Sequence, residues 1–194
     1  MLAKKLSILG LTATALLVLG ACSSDSNDTS KDSSSEASTT EVSTTESTAD
    51  VVSTASISDD PTVLEKAMSA DGNWIIAATN DVTFTNDVTV AGEFHDKDDD
   101  SQDIYRKIAL YSQDDDRNVT AEYTMTVPEL IIESENTNIV HGTIKGDVLV
   151  KANGFVLNGA KVEGNVTFEK QEYKDSAKLD EDGASVTGDV TVSE

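Results

Sequence analysis

One eight-residue phrase occurs three times in the last third of the chain, and no other feature constrains the fold as strongly. The copies are residues 143–150, 161–168 and 185–192. A repeat of this kind indicates an architecture built from one unit. Apolar and polar side chains alternate within each copy, which is the period of a strand with one buried face. The side chains predicted to point inward are those of Ile144, Val148, Val150, Val162, Val166, Phe168, Val186, Val190 and Val192.

A glycine interrupts the alternation at the same place in each copy, and the three positions are Gly146, Gly164 and Gly188. Glycine permits a positive φ angle, so each phrase is predicted to be a strand that bends at a corner. The first two copies start eighteen residues apart. This spacing favours successive coils of a solenoid over the closer strands of a hairpin.

These features predict an all-β fold for residues 60–194, namely a single right-handed parallel β-helix. Stacked coils would place like positions about 4.8 Å apart, with Lys145 beside Glu163. The exposed corner positions would form a ladder in which an amide separates two carboxylates, made of Asp147, Asn165 and Asp189. Alternation alone leaves an antiparallel sandwich open, because its strands could share the same motif.

An insertion displaces the third copy of the phrase. Residues 155–160 align with residues 179–184, and the polar segment 169–178 lies ahead of the second of these stretches. Insertions in a repeat map to loops, so residues 169–178 are predicted to be a loop.

A short helix is predicted to cap the start of the domain. Asp60 has the side chain of an N-cap residue, and Pro61 suits the first helical position. The helix would end by Gly72. Its apolar side would consist of Val63, Leu64, Ala67 and Met68.

The stretch between this helix and the repeat is rich in strand-forming residues. Residues 80–84 and 86–90 share Asn-Asp-Val-Thr, which fits one side of a coil or a hairpin that turns between them. Further strands are predicted at residues 104–111 and 119–132. Pro128 is predicted to mark an edge strand or the start of a strand.

Residues 1–21 have the pattern of a secretory signal peptide, because Lys4 and Lys5 precede a short uncharged apolar run. The run ends in Leu-Gly-Ala-Cys at Cys22, which resembles the lipobox of bacterial lipoproteins. The resemblance implies that the leader is cut before Cys22 and that the Cys22 thiol is acylated with diacylglycerol. The alternative is an ordinary secreted protein with an incidental cysteine. Cys22 is the only cysteine of the chain, so no intramolecular disulfide can form.

Residues 22–59 are predicted to be a disordered tether. They consist mainly of Ser, Thr, Asp and Glu, with almost no large apolar side chains. Such a segment cannot bury enough surface to offset the conformational entropy that ordering would cost. A hydroxyl-rich spacer directly after the cysteine resembles the surface lipoproteins of Gram-positive bacteria. This resemblance implies a protein anchored by its lipid to the extracytoplasmic face of the cell membrane.

The acidic loop 95–103 is the one cluster whose composition suggests a metal site. Asp96, Asp98 and Asp100 have the spacing of the first three ligands of an EF-hand-type calcium loop. Ser101 replaces the turn glycine of that loop, and the closing glutamate is missing. No metal ligand and no cofactor is therefore predicted, and a calcium-dependent adhesin stays an alternative.

No motif in the sequence singles out a catalytic centre. There is no nucleophile elbow, no zinc-ligand spacing and no phosphate-binding loop. No catalytic residue is therefore assigned, and an exported carbohydrate-active enzyme on a β-helix is kept as an alternative. Arg106, Lys107 and Arg117 are expected to pair with neighbouring aspartates. His95 and His141 are expected to be satisfied turn or strand residues.

The net charge limits the class of partner. A formal charge of −22 argues against a nucleic-acid partner and against a surface that lies flat on anionic lipid. It favours solubility and the attraction of cations or basic polymers. The sequence identifies neither a cell-wall partner nor a cationic one.

The repeat resembles the bactofilin-like, polymer-forming β-helix domains, whose coils share the Gly-Asp-Val or Gly-Asn-Val rhythm. The resemblance covers residues 139–192 and, more loosely, residues 74–91. That family assembles end to end, so it implies a homo-oligomer through the last coil, which carries Val190 and Val192. Export and lipidation separate this chain from that family's cytoskeletal role. The expected function is that of a lipid-anchored surface protein with a non-catalytic structural or binding role.

Overall fold

The computed structural model describes residues 55–193, which lie within one compact unit that spans Ala49–Glu194. Strands and their connections make up this part of the chain apart from two short helices and one 3₁₀ turn, so the predicted all-β class is confirmed. The predicted leader 1–21 and Cys22 lie outside the described residues, as does most of the predicted tether 22–59.

Most of the strands are short, and the two helices have eight and six residues. In chain order the elements are β1 (Ala55–Ser58), α1 (Pro61–Met68), β2 (Ile75–Ala78), β3 (Val82–Thr83), β4 (Val88–Val90), the 3₁₀ turn (Asp96–Asp98), β5 (Arg106–Ala109), β6 (Tyr111–Gln113), β7 (Val119–Glu122), β8 (Thr124–Ile132), β9 (Thr137–Val140), β10 (Thr143–Val150), β11 (Val156–Asn158), β12 (Lys161–Glu163), β13 (Val166–Phe168), α2 (Gln171–Ser176), β14 (Lys178–Glu181), β15 (Ser185–Val186) and β16 (Val190–Val192).

Two parallel sheets hold these strands except β6 and β7, which form a separate antiparallel hairpin. Sheet A has the order β1-β2-β5-β9-β11-β14. In sheet B, β8 and β10 are interior, with β3 and β4 on one side and β12, β13, β15 and β16 on the other. The chain goes from sheet A to sheet B five times, and we call β14, β15 and β16 the last pass. Pairing within both sheets is parallel, so the antiparallel sandwich is wrong.

The three copies of the phrase lie in register in sheet B. Val162 pairs with Ile144 on one side and with Val186 on the other. Val166 likewise lies between Val148 and Val190. The predicted inward side chains of the first two copies are buried, whereas those of the third are half-buried because β15 and β16 end sheet B. The predicted stacking of the copies is confirmed.

Corner side chains link consecutive passes by hydrogen bonds. The Oδ1 atom of Asp147 accepts from the backbone N–H of Asn165 at 2.7 Å and from its side-chain amide at 3.1 Å. The Oδ1 atom of Asn165 accepts in turn from the backbone N–H of Asp189 at 3.0 Å. The predicted ladder is present, and it supplies acceptors for backbone donors at the bend.

The corner glycines are required by a close approach of backbones rather than by one shared backbone angle. Gly146 has a φ of 150°, but Gly164 and Gly188 do not have positive φ angles, so that part of the prediction is wrong. A Cβ atom on Gly164 would overlap the carbonyl oxygen of Gly146, and one on Gly188 would overlap that of Gly164. The glycines therefore form a column along which successive strands can stack.

Earlier passes carry the same pattern with longer corners. Strand β3 pairs with the first half of β8 and β4 pairs with its second half, so the alternative of a hairpin between them is wrong. Strand β8 pairs with β10 along its length except at a bulge, where Val127 and Pro128 lie opposite Gly146. Pro128 therefore lies at a bulge within an interior strand, not at an edge or a strand start as predicted.

Two predictions around the third copy need correction. The alignment ahead of it is shifted by one to two residues, because Val156 pairs with Lys178 and Asn158 pairs with Glu181 around a bulge. The insertion 169–178 is not simply a loop, since it contains the helix α2.

Helix α1 packs against β1, β2 and β4, which lie at the N-terminal end of both sheets. The Asp60 carboxylate accepts from the N–H of Thr62 at 2.7 Å, as an N-cap should. Val63 is 48% exposed, so its predicted packing is wrong. The buried side chains of α1 are those of Leu64, Ala67 and Met68.

The ordered domain begins before Asp60. Strand β1 pairs with β2 along its whole length, so the predicted tether boundary at residue 59 lies too late. Small and hydroxyl side chains make β1 look like the preceding polar segment. Its single large apolar residue, Ile57, is 65% exposed and supplies no burial signal.

Candidate functional site

The acidic loop 95–103 is closed at its base. His95 pairs with Ile104, and the His95 Nδ1 atom lies 2.8 Å from the carbonyl oxygen of Gln102. This hydrogen bond, supported by the Glu93 carboxylate, raises the pKa of His95. His95 is a satisfied turn residue, as predicted.

The aspartates with calcium-loop spacing do not converge on one point. Asp96 pairs with Lys97 at 3.7 Å. Asp99 accepts from the N–H and the hydroxyl of Ser101 at 2.9 Å and 2.7 Å, which lowers the pKa of Asp99. Within residues 55–193 no group of three or more His, Cys, Asp or Glu side chains is placed to hold a metal ion. The calcium alternative thus rests on sequence spacing alone.

An open groove of about 920 Å³ lies beside this loop. Tyr105 is held by Trp74, with ring centroids 6.1 Å apart, and by Asn138, whose Nδ2 atom donates to the Tyr105 hydroxyl at 3.3 Å. Asp103 is exposed, so it lacks the apolar surroundings that a general acid needs. The groove is lined by Asp96, Gln102, Asp103, Ile104, Tyr105 and Asn136.

Arg106 is fully buried, and its guanidinium binds backbone rather than an aspartate. Its Nη1 atom donates to the Ala91 carbonyl and, at 3.1 Å, to the Ser134 hydroxyl. Its Nη2 atom donates to the carbonyls of Ala67 at 2.7 Å and Ser69 at 3.0 Å. One planar fork thus joins the end of α1 to two connections between the sheets.

The surroundings of Arg106 stabilise a cation without a carboxylate. The guanidinium lies 4.1 Å from the centre of the Phe94 ring, and two of its acceptors are at the C-terminal end of α1, where the helix dipole is negative. Burial lowers the pKa of Arg106 to about 10, so the side chain remains charged at neutral pH. The predicted pairing of Arg106 with an aspartate is wrong.

Lys107 and Arg117, which are also predicted to pair with aspartates, lack an aspartate partner among the described residues. Lys107 donates instead to the Tyr111 hydroxyl at 3.0 Å, and Arg117 lies in the turn of the β6–β7 hairpin. His141 packs edge-on against Tyr111, with its Nδ1 atom 3.3 Å from the Glu122 carboxylate. These contacts attach the hairpin to sheet A.

The comparisons with known proteins found no match, so any function has to be inferred from the geometry of the chain. No protein-family model, no curated protein and no solved structure matches this chain. None of the helices in residues 55–193 is long and apolar enough to cross a membrane. Cys22, the predicted lipidation site, lies outside the described residues.

Among residues 55–193, the last pass presents open strand edges, since β14 ends sheet A and β15 and β16 end sheet B. Val190 and Val192 pack half-buried against the core. The carbonyl of Asp189 and the N–H of Ser193 both bond to the preceding strand, β13. Backbone groups alternate in direction along a strand, so those of Val190 and Val192 point away from β13 toward the open edge. This edge is the predicted association surface.

Proposed function

We propose that this chain is a lipid-anchored, extracytoplasmic surface protein with a non-catalytic structural role, which self-associates through its last pass. The observation that carries the proposal is the open end of both sheets. The apolar core continues to Val190 and Val192, where it reaches an edge with outward backbone donors and acceptors. Such an edge is a template for pairing with another strand.

The domain to which this edge belongs is a right-handed parallel β-helix. Five passes between two parallel sheets, with like residues stacked in register, support this description. Parallel strands joined by a crossover are right-handed in nearly all known sheets, which supports the handedness. A stack of this kind has two ends, and α1 packs against the first.

A second copy of the chain is the partner that best fits the last pass. Two identical edges can meet about a two-fold axis, with each copy supplying the same surface. Contact would bury the half-exposed Val190 and Val192 side chains and pair backbone groups that face the edge. The resulting particle would be a closed dimer.

Val190→Lys is expected to abolish self-association of the full-length protein. The lysine places a charge in the valine stack, where a second copy would have to bury it unpaired. Sedimentation velocity in a mild detergent should show reversible, concentration-dependent association of the parent protein at roughly 10–100 µM and a monomer for the variant. Val119→Lys is the matched control, because it makes the same substitution at an exposed position of the β6–β7 hairpin, away from the last pass, and should associate as the parent does. Equal association of the parent and Val190→Lys would contradict the proposed interface.

Cys22→Ala is expected to release the protein from the membrane. The acyl chains implied by the lipobox resemblance supply the membrane affinity, since each buried CH₂ contributes about 0.8 kcal/mol. In a bacterial host that processes lipoproteins, the parent should incorporate labelled palmitate and fractionate with membranes, and Cys22→Ala should do neither. Ser23→Ala is the control, because it leaves the cysteine in place. Labelled palmitate in Cys22→Ala at the level of the parent would rule out lipidation of this residue.

A carbohydrate-active enzyme is the second candidate, favoured by the open groove beside the acidic loop. The groove holds two carboxylates, those of Asp96 and Asp103. Asp96 contacts Lys97, and Asp103 is exposed. A structural role fits these solvated side chains better, since a glycosidase needs one carboxyl group kept protonated by its surroundings.

A further inference from the structure

The connection that leads into the last pass is longer than its counterpart one pass earlier. The chain takes six residues from Val150 to Val156 and ten from Phe168 to Lys178, although Val150 pairs with Phe168 and Val156 with Lys178. The longer connection contains α2. It therefore has length to spare beyond what is needed to join the two sheets.

Side-chain contacts fix α2 against the C-terminal part of the fold. Tyr173 is partly buried and packs against the core. The Ser176 hydroxyl accepts from the N–H of Gly154 at 3.0 Å, which ties the end of the helix to the preceding connection. Gln171 donates to Asp175 at 2.7 Å, one turn apart on the helix. The helix thus has a defined position beside the last pass.

Lys174 reaches from α2 to the open edge. Its Nζ atom donates to the Val190 carbonyl oxygen at 3.1 Å. One pass earlier, the carbonyl of Phe168 in β13 accepts from the N–H of Ser193 at 2.8 Å and so joins that strand to the next. The backbone carbonyl of Val166 points to the same side of β13 as that of Phe168. Val190 is the residue of β16 that pairs with Val166, so its carbonyl points in the same direction, toward the position of a further strand. The Lys174 ammonium therefore stands where the N–H of a further strand would be.

We propose that α2 regulates the association surface through Lys174. The Lys174 side chain must leave the Val190 carbonyl before a second copy can pair with β16, and we call this blocking contact the guard. The inference rests on the proposed self-association. Lysines at sheet edges oppose pairing, because a charged side chain has to be displaced and resolvated. Here the lysine also occupies an acceptor that pairing needs. The guard keeps association weak and makes it sensitive to the charge of one side chain.

Sedimentation velocity of the full-length protein in a mild detergent tests the guard. Lys174→Ala should associate at concentrations about tenfold lower than the parent, because it frees the Val190 carbonyl. Lys174→Arg should behave as the parent, since it keeps a charged donor. Lys151→Ala is a control that removes one positive charge away from β16. Lys151 pairs with Glu133 at 2.9 Å, so its removal should also leave association unchanged. Circular dichroism checks that each variant is folded.

The double variant Lys174→Ala/Val190→Lys distinguishes association through β16 from non-specific association. It should return to a monomer, and association that persists in it would overturn the proposal. If Val190→Lys abolishes association but Lys174→Ala associates like the parent, the proposed role of Lys174 is wrong and the proposed self-association is kept. If neither the parent nor Lys174→Ala associates at roughly 100 µM, the self-association is wrong and the guard falls with it.

Discussion

Arg106→Met is expected to lower the free energy of unfolding by about 3 kcal/mol. Methionine fills a similar volume, so the change removes the charge and its donors more than the packing. The carbonyls of Ala67, Ser69 and Ala91 each lose a charge-assisted hydrogen bond. Hydrogen bonds to charged groups contribute roughly 1.5–3 kcal/mol each, and the relief of burying a cation offsets part of the loss.

Chemical denaturation of the full-length protein measures this effect. Arg106→Lys should be intermediate, because an ammonium keeps the charge but cannot span both sides of the guanidinium fork. Lys107→Met is the matched control, since Lys107 lies on the same strand but its Nζ atom donates to the Tyr111 hydroxyl rather than to the end of α1. The amides of α1 should exchange with solvent faster in Arg106→Met. An unfolding midpoint equal to that of the parent would show that the fork does not hold the helix.

The burial of Arg106 was accessible from the sequence by the same alternation that located the repeat. Arg106, Ile108 and Leu110 occupy alternate positions, so the pattern places the arginine on the inner face. The pairing of cations with nearby aspartates predicts a different environment, because it would place the guanidinium beside a carboxylate. The partners of Arg106 could not be predicted, because they are backbone carbonyls brought together only by the path of the chain.

The repeat allowed the register of sheet B to be predicted in its second half but not in its first. Residues 143–150 and 161–168 have corners of the same length, so their side chains align directly. The phrase in β8 is interrupted at Val127 and Pro128, where one residue is added. Earlier still, four residues separate Thr83 from Val88, whereas two separate Lys145 from Val148. Longer corners conceal the period although the strands still pair.

The proposed association surface could be predicted from the repeat, whereas the proposed role of Lys174 could not. Val190 and Val192 belong to the last copy of the phrase, whose strand β16 lies at the edge of sheet B within residues 55–193. The segment 169–178 is polar and gives no apolar periodicity that would indicate a helix. The contact from Lys174 to the Val190 carbonyl depends on where α2 packs, which the sequence pattern does not specify.

Gly164→Ala is expected to destabilise the fold by about 3 kcal/mol, although Gly164 does not have a positive φ angle. The added Cβ would overlap the carbonyl oxygen of Gly146 and lie 2.8 Å from the Asp147 carboxylate. Backbone, not a flexible side chain, is the nearest obstacle, so the two strands would have to separate. Separation would also lengthen the 2.7 Å hydrogen bond from the Asn165 N–H to Asp147.

Gly183→Ala is the control that separates contact from backbone angle. Gly183 has a φ of 80° but no heavy atom within 4 Å of its Cβ position. Alanine there should cost only about 1 kcal/mol, which is the usual penalty for a left-handed conformation. Chemical denaturation should therefore find Gly164→Ala less stable than Gly183→Ala. The reverse order would mean that the corner glycines serve backbone angle after all, and that strand spacing in the stack can adjust to a methyl group.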